Sequence, residues 1–389
     1  MINHALLSPS SAYRWLNCTP SPRLESTLPE KTSSYAEEGV LAHSVCEIYA
    51  KKYFKKIKTQ EYNKILKKLK TSEYWDNEML KTAETYVEHL AERLMGFQNK
   101  PYIDFEVKVD LSKYVPEAFG TCDCIIFGGD TLIITDYKHG KGVPVKAAEN
   151  PQLKLYALGA IEHYQPIFGG TLKTVEIYID QPRINSYEHD THTVDSLIEW
   201  GLSIKSTAHK AYIGVGKYNP GDWCRFCRAN GICKAQTDQH LNIFNDFKDN
   251  IINNTTTLTP DQISIVLEKG KHLISWYKAV ENKSLEMALS GIEIPGWKVV
   301  EGKSTRIWTD QDKALEKLQT AGVDEAIIYD RVPKTLAQLE KLIGKTEFKE
   351  MVGDLIIKPQ GKPVLVTSDD ARDAYNSAVT DFISVASND

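Results

Sequence analysis

The chain has 389 residues, 42% hydrophobic and 25% charged, with a formal net charge of −5. That length suits two domains, and the balance excludes wholesale disorder or a fibrous chain. No run of about 18 apolar residues occurs, which speaks against a helical membrane span, and a net-acidic chain does not coat nucleic acid through bulk charge. The N-terminal MINHALLSPSSAYRW lacks the basic-then-apolar layout of a signal peptide. The seven cysteines are therefore expected as reduced thiols or metal ligands, in a cytoplasmic setting.

The charge is unevenly spread. Residues 1–245 hold 29 Lys+Arg and 29 Asp+Glu, whereas 246–389 hold 18 and 23 and account for the whole acid excess. The stretch 51–70 carries nine lysines and one glutamate, and reads either as a solvated helix face or as a phosphate-facing patch.

Ser8-Pro9 suits the start of a first helix carrying Trp15, Leu16 and Cys18, which the prolines of TPSPRLESTLPEK break. Ser34-x-x-Glu37 has capping-box spacing for a second helix, running through His43 into the lysine-rich stretch. Leu80, Ala83, Val87, Leu90 and Leu94 predict a helix over 76–97. YIDFEVKVDL alternates as a strand. FGTCDCIIF and TLIITDYK read as a hairpin joined at Gly128-Gly129-Asp130. NPQLKLYALGAIEHY reads as a helix, TVEIYIDQPR as a strand, and 193–213 as a helix leading into NPGDWCRFCRANGIC. The polar NNTTTLTPDQ precedes a long helix over 261–290 opened by Thr259-Pro260-Asp261-Gln262. A β segment is expected around WKVVEGKSTRIW. The order predicts an α/β core with a mixed central sheet flanked by helices over 1–245, and a smaller α+β domain over 246–389.

Alternation along a strand points Asp123 away from Cys122 and Cys124, which read as small core residues, and puts Asp136 and Lys138 on one face. A four-residue hairpin loop would set Asp123 directly opposite Asp136, and shorter loops displace the pairing by one or two positions. Two converging carboxylates repel unless a cation lies between them, and oxygen ligands suit Mg²⁺ or Mn²⁺. An ordinary cross-strand salt bridge is the plain alternative. Gln152 and Tyr156, at i and i+4, share a helix face. Glu106 reads as a solvent-facing strand residue, and Cys46 as packed. Cys224-x2-Cys227-x5-Cys233 needs a fourth ligand for a closed zinc or iron–sulfur site, and Cys18 is the candidate.

The order His43, Asp123, Asp136-Tyr137-Lys138, Gln152-x-x-x-Tyr156 resembles the RecB-like branch of the PD-(D/E)XK nuclease superfamily over roughly residues 1–235. No proline precedes Asp123, and the second acid is Asp rather than Glu. The resemblance implies a restriction-endonuclease-like core, with His43, Asp123, Asp136 and the Tyr137 backbone carbonyl holding Mg²⁺ or Mn²⁺. It further implies that Lys138 assists hydrolysis and that Gln152 and Tyr156 touch DNA. A subset of such nucleases has one cysteine before the motifs and three after, together holding a [4Fe–4S] cluster. By that likeness Cys18, Cys224, Cys227 and Cys233 hold iron–sulfur rather than zinc, in a structural role. Phage and prophage RecB-like proteins have a similar tail, matching here at Gly296-Trp297-Lys298 and Ser368-Asp369-Asp370-Ala371-Arg372.

The resulting expectation is a phage or prophage DNA exonuclease working in the bacterial host cytoplasm on duplex ends or single strands. A phage recombination or single-strand-annealing protein is its expected partner, with a homo-oligomer open and no membrane involved. The alternative is a non-catalytic DNA-binding or assembly protein that keeps the fold.

Overall fold

The computed structural model describes residues 5–29, 33–142, 144–168, 170–251, 258–300, 311–329 and 335–356. The N-terminal region builds α1 (Ala12–Asn17), α2 (Ser21–Ser26), α3 (Ser34–Tyr53), α4 (Thr59–Leu69) and α5 (Glu78–Met95). β1 (Tyr102–Asp110), β2 (Phe119–Gly128) and β3 (Thr131–Tyr137) follow, then α6 (Pro151–Phe168), β4 (Thr174–Gln181), β5 (Ser186–Thr193) and α7 (Val194–Ile213). Beyond them lie α8 (Lys234–Ile251) and α9 (Pro260–Leu289).

Local sequence chemistry accounts for most of these elements, with four differences. The prolines after Cys18 do not leave a loop: Pro22 sits in the first turn of α2, where the missing N–H costs nothing. The cap of α3 is Ser33, whose side chain accepts from the Ala36 N–H, rather than Ser34. The lysine-rich stretch is split between the end of α3 and all of α4, instead of continuing one helix. β5 was not expected, because SYEHDTHT carries no apolar alternation; it is an edge strand whose outward residues are polar.

The five strands form one mixed sheet in the order β1-β2-β3-β4-β5. Only β3 and β4 are parallel, and α6 supplies the crossover between them. Helices α3 and α5 pack one face around Val45, Met79 and Tyr86. Helices α1, α6 and α7 pack the other, around Trp15, Leu155 and Ala208. The sheet is therefore apolar on both sides, and β3 is buried along nearly its whole length.

Gly128 pairs with Thr131, so the hairpin loop is the two residues Gly129 and Asp130, not four. Gly129 has φ +59°, which a glycine adopts without strain. The displacement expected of a shorter loop does not occur: Cys124 pairs with Thr135, the last pair of the ladder, and the register runs on toward Asp123 and Asp136.

One expectation about the faces fails. Cys124 packs on the α3/α5 side and Cys122 on the α6 side, so the two cysteines do not share a face. Their partners behave alike, Phe105 lying on the α3/α5 side and Val107 on the α6 side. Between them Glu106 has φ +54°, a left-handed backbone that turns the strand over without adding a residue.

The chain divides into compact units of residues 1–300 and 301–389, and α8 runs unbroken through the expected boundary at 245/246. In the second unit the described residues form short helices, α10 (Gln311–Thr320), α11 (Glu325–Ile328), α12 (Leu336–Ile343) and α13 (Lys345–Val352), with no strand among them. Residues 297–300 are not in a strand, and the rest of the expected β segment lies outside the described residues, as does Ser368–Arg372. Among the described residues no helix is long and apolar enough to cross a membrane.

Candidate metal centre

The β2–β3 ladder ends at Cys124 and Thr135, and the polar groups freed there are satisfied by side chains. The Tyr137 N–H donates to Asp123 Oδ2 at 2.8 Å. His43 reaches the same oxygen from α3, with Nδ1 3.4 Å away. Its helix is held against the sheet by Leu41, Ala42, Val45 and Cys46, all buried. The His43 ring stands edge-on to the Tyr137 ring at 5.4 Å.

Glu106 faces Asp123 across the β1–β2 ladder, and His43, Glu106 and Asp123 bring ligand atoms within 4.8 Å of one another. Glu106 is thus not the solvent-facing residue expected from the sequence; the left-handed turn at its own backbone aims it into the acid cluster. Asp136 is not in that close set. It is 3% exposed and lies beside Lys138, whose Nζ is 2.7 Å from Oδ2. Gln152 Nε2 on α6 donates to Asp136 Oδ1 at 3.2 Å and to the Tyr156 hydroxyl at 3.4 Å. Gln152 thus meets the second acid directly, and Tyr156 meets Gln152. Gly120 makes room for it: a Cβ there would come within 2.7 Å of the Tyr156 ring.

The electrostatics divide the two aspartates. Burial works against the Asp123 carboxylate, but His43, Lys138 and the Tyr137 N–H hold its pKa below the ordinary value. Burial raises the pKa of Asp136, with the Asp123 charge adding to it and Lys138 opposing. Burial likewise disfavours the Lys138 ammonium, yet Asp136 and Asp123 keep its pKa raised. Burial and the facing Asp123 push Glu106 up to about 7. His43, Glu106 and Asp123 are a group that could hold a metal ion, and oxygen ligands with one imidazole suit Mg²⁺ or Mn²⁺.

A second tier of residues carried no recognisable sequence signal. The Tyr137 hydroxyl donates to Thr82 Oγ1 at 2.8 Å and lies 2.7 Å from His139 Nδ1. Arg183 bridges Glu78 of α5, at 2.8 Å, and Glu38 of α3, at 2.8 Å, and also donates to the His139 carbonyl. Arg93 grips Asp180, fully buried at the end of β4, through two bonds of 2.6 and 2.7 Å. These contacts tie both helices to the strand ends that bear the acids.

Cys18 caps α1, and with Cys224, Cys227 and Cys233 it lines a single pocket beside Trp223. The backbone N–H of Asn219 points to Cys18 Sγ at 3.5 Å and that of Gly221 to Cys224 Sγ at 3.4 Å. Protein contacts alone bring the two distant segments together. Thr19 donates to the Val215 carbonyl at 2.7 Å, Arg23 to the Tyr212 carbonyl at 2.6 Å, and the Arg228 N–H to Glu25 at 2.9 Å. Burial pushes the metal-free Cys227 thiol up to about 12. Cys46, Cys122 and Cys124 are buried in the core, as expected of packed thiols.

The profile of the family described as "Protein of unknown function (DUF2800)" matches residues 4–373. The chain belongs to the DUF2800 family. A solved structure described as "Crystal structure of SSO0001" is 17% identical to this DUF2800 chain, over 58% of it and 96% of the other, with a TM-score of 0.24.

Proposed function

We propose that this DUF2800 protein is a Mg²⁺- or Mn²⁺-dependent deoxyribonuclease with a RecB-like PD-(D/E)XK core, acting as an exonuclease on DNA ends or single strands. The observation that carries the reading is the convergence of His43, Glu106 and Asp123 within 4.8 Å, beside an Asp136–Lys138 pair that Gln152 holds in place. When bound, the ion polarises a phosphoryl oxygen and lowers the pKa of its water. His43, Asp123, Asp136 and the Tyr137 carbonyl would hold it, with Glu106 as a further carboxylate. Lys138 offsets charge developing on the phosphorus oxygens and orients the attacking water. Gln152 and Tyr156 steady Asp136 and face the strand near the scissile phosphate. Hydrolysis in this sense leaves 5′-phosphate and 3′-hydroxyl ends.

For the cysteines we favour a structural [4Fe–4S] cluster over zinc. The four cysteines line one pocket, and four thiolates, one before the acids and three after them, are the ligand set that such a cluster takes in the nucleases this chain resembles. A phage or prophage origin, a cytoplasmic setting, a recombination or single-strand-annealing partner and a homo-oligomer belong to the same proposal. The competing reading is a non-catalytic DNA-binding or assembly protein with this fold. Incubation of 5′- and 3′-labelled single and double strands with Mg²⁺ or Mn²⁺ decides between them. Metal-dependent release of labelled products supports the nuclease, and retention without cleavage supports the rival.

A further inference from the structure

The lysine-rich stretch 51–70 lies beyond the acid cluster, yet one face of α3 joins the two. His43, Glu47 and Lys51 follow one another at four-residue steps along that face. Lys51 Nζ pairs with Glu47 Oε1 at 2.5 Å, and both charges act on Glu106. Eight residues of helix put Lys51 about 12 Å from His43 along the axis. The chain then turns, and α4 packs back against α3 with Tyr62 buried beside Tyr49 at 6.4 Å. Phe54, in the turn, stacks at 5.7 Å on Phe105 of β1, the residue before Glu106. The stretch is therefore held at a fixed distance from the acids by both α3 and β1.

Eight of the nine lysines in the stretch are exposed and Lys51 is half-buried, while Glu61 is its one acid. Such crowding is unfavourable for the fold itself. Lys64, Lys67 and Lys68 stand three and four residues apart on α4, where like charges repel. Lys58 is the N-cap of α4, a position that favours an acid or a hydroxyl. The helix dipole accounts for Lys67 and Lys68 in the last turn, but not for Lys58 or Lys64. A surface built only for solubility interleaves both signs. An unmixed one of this extent attracts a polyanion.

We propose that the α3–α4 surface grips the phosphates of duplex DNA whose end lies at the acid cluster, about three to four base pairs away. The proposal rests on the nuclease reading for its choice of DNA, and it selects duplex ends over single strands. A duplex is stiff over tens of nanometres, so a grip about 12 Å from the acids keeps its terminal phosphates in register. Single strands bend freely and are held instead by rows of open aromatic rings. Of the three rings in the stretch, Tyr62 is buried with Lys52 over it at 4.2 Å, Phe54 is stacked on Phe105, and Tyr53 is exposed. One open ring makes no row. Nor is α4 free to lie in a membrane, because the side that would enter the lipid is turned to α3 through Tyr62.

Anisotropy of a fluorescein-labelled blunt duplex, and of the matching single strand, measures the surface in the full-length protein without added divalent metal. Lys64→Gln, Lys67→Gln and Lys68→Gln together remove three charges at exposed sites while keeping helix propensity. This α4 variant should weaken duplex binding about tenfold or more. It should also lower the slope of log K against log salt by roughly two to three, in step with three lost phosphate contacts. As a control, Lys205→Gln, Lys210→Gln and Lys217→Gln remove exposed lysines in and after α7, which packs the other face of the sheet. The control should leave the slope as it is, with urea unfolding showing that both variants fold. Equal losses in the two variants overturn the surface, since bulk charge then explains them. An unchanged slope in the α4 variant overturns it, as does single-strand binding as tight as duplex binding and as sensitive to that variant. Absence of duplex binding, with α4-dependent sedimentation on phosphatidylserine vesicles, overturns it in favour of a membrane surface. The two readings fail separately. Duplex binding that depends on α4 in a protein that never cleaves upholds the surface and sinks the nuclease, and metal-dependent cleavage with an unchanged slope does the reverse.

Discussion

Glu106 and Asp123 face each other across the β1–β2 ladder, and the left-handed backbone of Glu106 turns both strands over at that point. A non-glycine residue in that conformation costs on the order of 1–3 kcal/mol, and such strain concentrates at functional sites. Here it presents two carboxylates to one spot, at the expense of the strands' regular alternation.

The first prediction follows from that repulsion. The Glu106 pKa rises from an ordinary 4.5 to about 7 in the folded protein, so between those values the folded state binds more protons than the unfolded chain. Metal-free stability therefore falls as pH rises through that window. Glu106→Gln should remove the fall, stabilising the metal-free protein at pH 8 by on the order of 2–3 kcal/mol and changing it little at pH 4. Denaturant unfolding in chelator at the two pH values measures this. Equal effects at both would show that Glu106 carries no special charge burden.

Cleavage should depend on both members of the Asp136–Lys138 pair. Asp136→Ala and Lys138→Ala are each expected to lower kcat about 100-fold or more, with far smaller changes in DNA affinity. The double variant should be little worse than either alone, because the two act as a unit. Single-turnover digestion of end-labelled DNA gives the rates, and activity surviving both substitutions would sink the mechanism.

Iron and zinc analysis after anaerobic purification tests the cysteine site. About four irons per chain are expected from the [4Fe–4S] assignment, falling in Cys18→Ser as in Cys227→Ser. A bound cluster would add to the protein contacts that already join these segments, so both variants should also melt earlier. Stoichiometric zinc with no iron would reverse the choice of occupant.

Arg93→Ala leaves Asp180 buried at 0% exposure without its bidentate partner. Removing one member of a buried pair typically costs about 3–5 kcal/mol. Urea unfolding of the wild type and the variant checks the size of the loss.

Much of this site was legible in the residues because its logic is local. Asp136 lies near the end of β3 and Lys138 just beyond it, Gln152 and Tyr156 are one helical turn apart, and the glycine-rich turn sets the hairpin register. The cap at Thr259 and Gln262 likewise opens α9 where the spacing placed it. What periodicity could not convey is where a strand abandons it. Glu106 seemed solvent-facing, and Cys122 and Cys124 seemed to share a face, because a twofold alternation assumes extended backbone at every step. Only packing on both sides of the sheet over-determines the left-handed exception. The Arg183 and Arg93 bridges, the edge strand β5, and the meeting of Cys18 with a loop two hundred residues away are equally non-local. Each depends on chain segments whose separation in sequence says nothing about their distance in space. The sequence by itself offered His43, Asp123, Asp136 and Lys138 as candidate groups. The tertiary structure decided that Glu106 joins them and that Asp136 stands apart with Lys138, because burial and cross-strand charge, not spacing, choose among carboxylates.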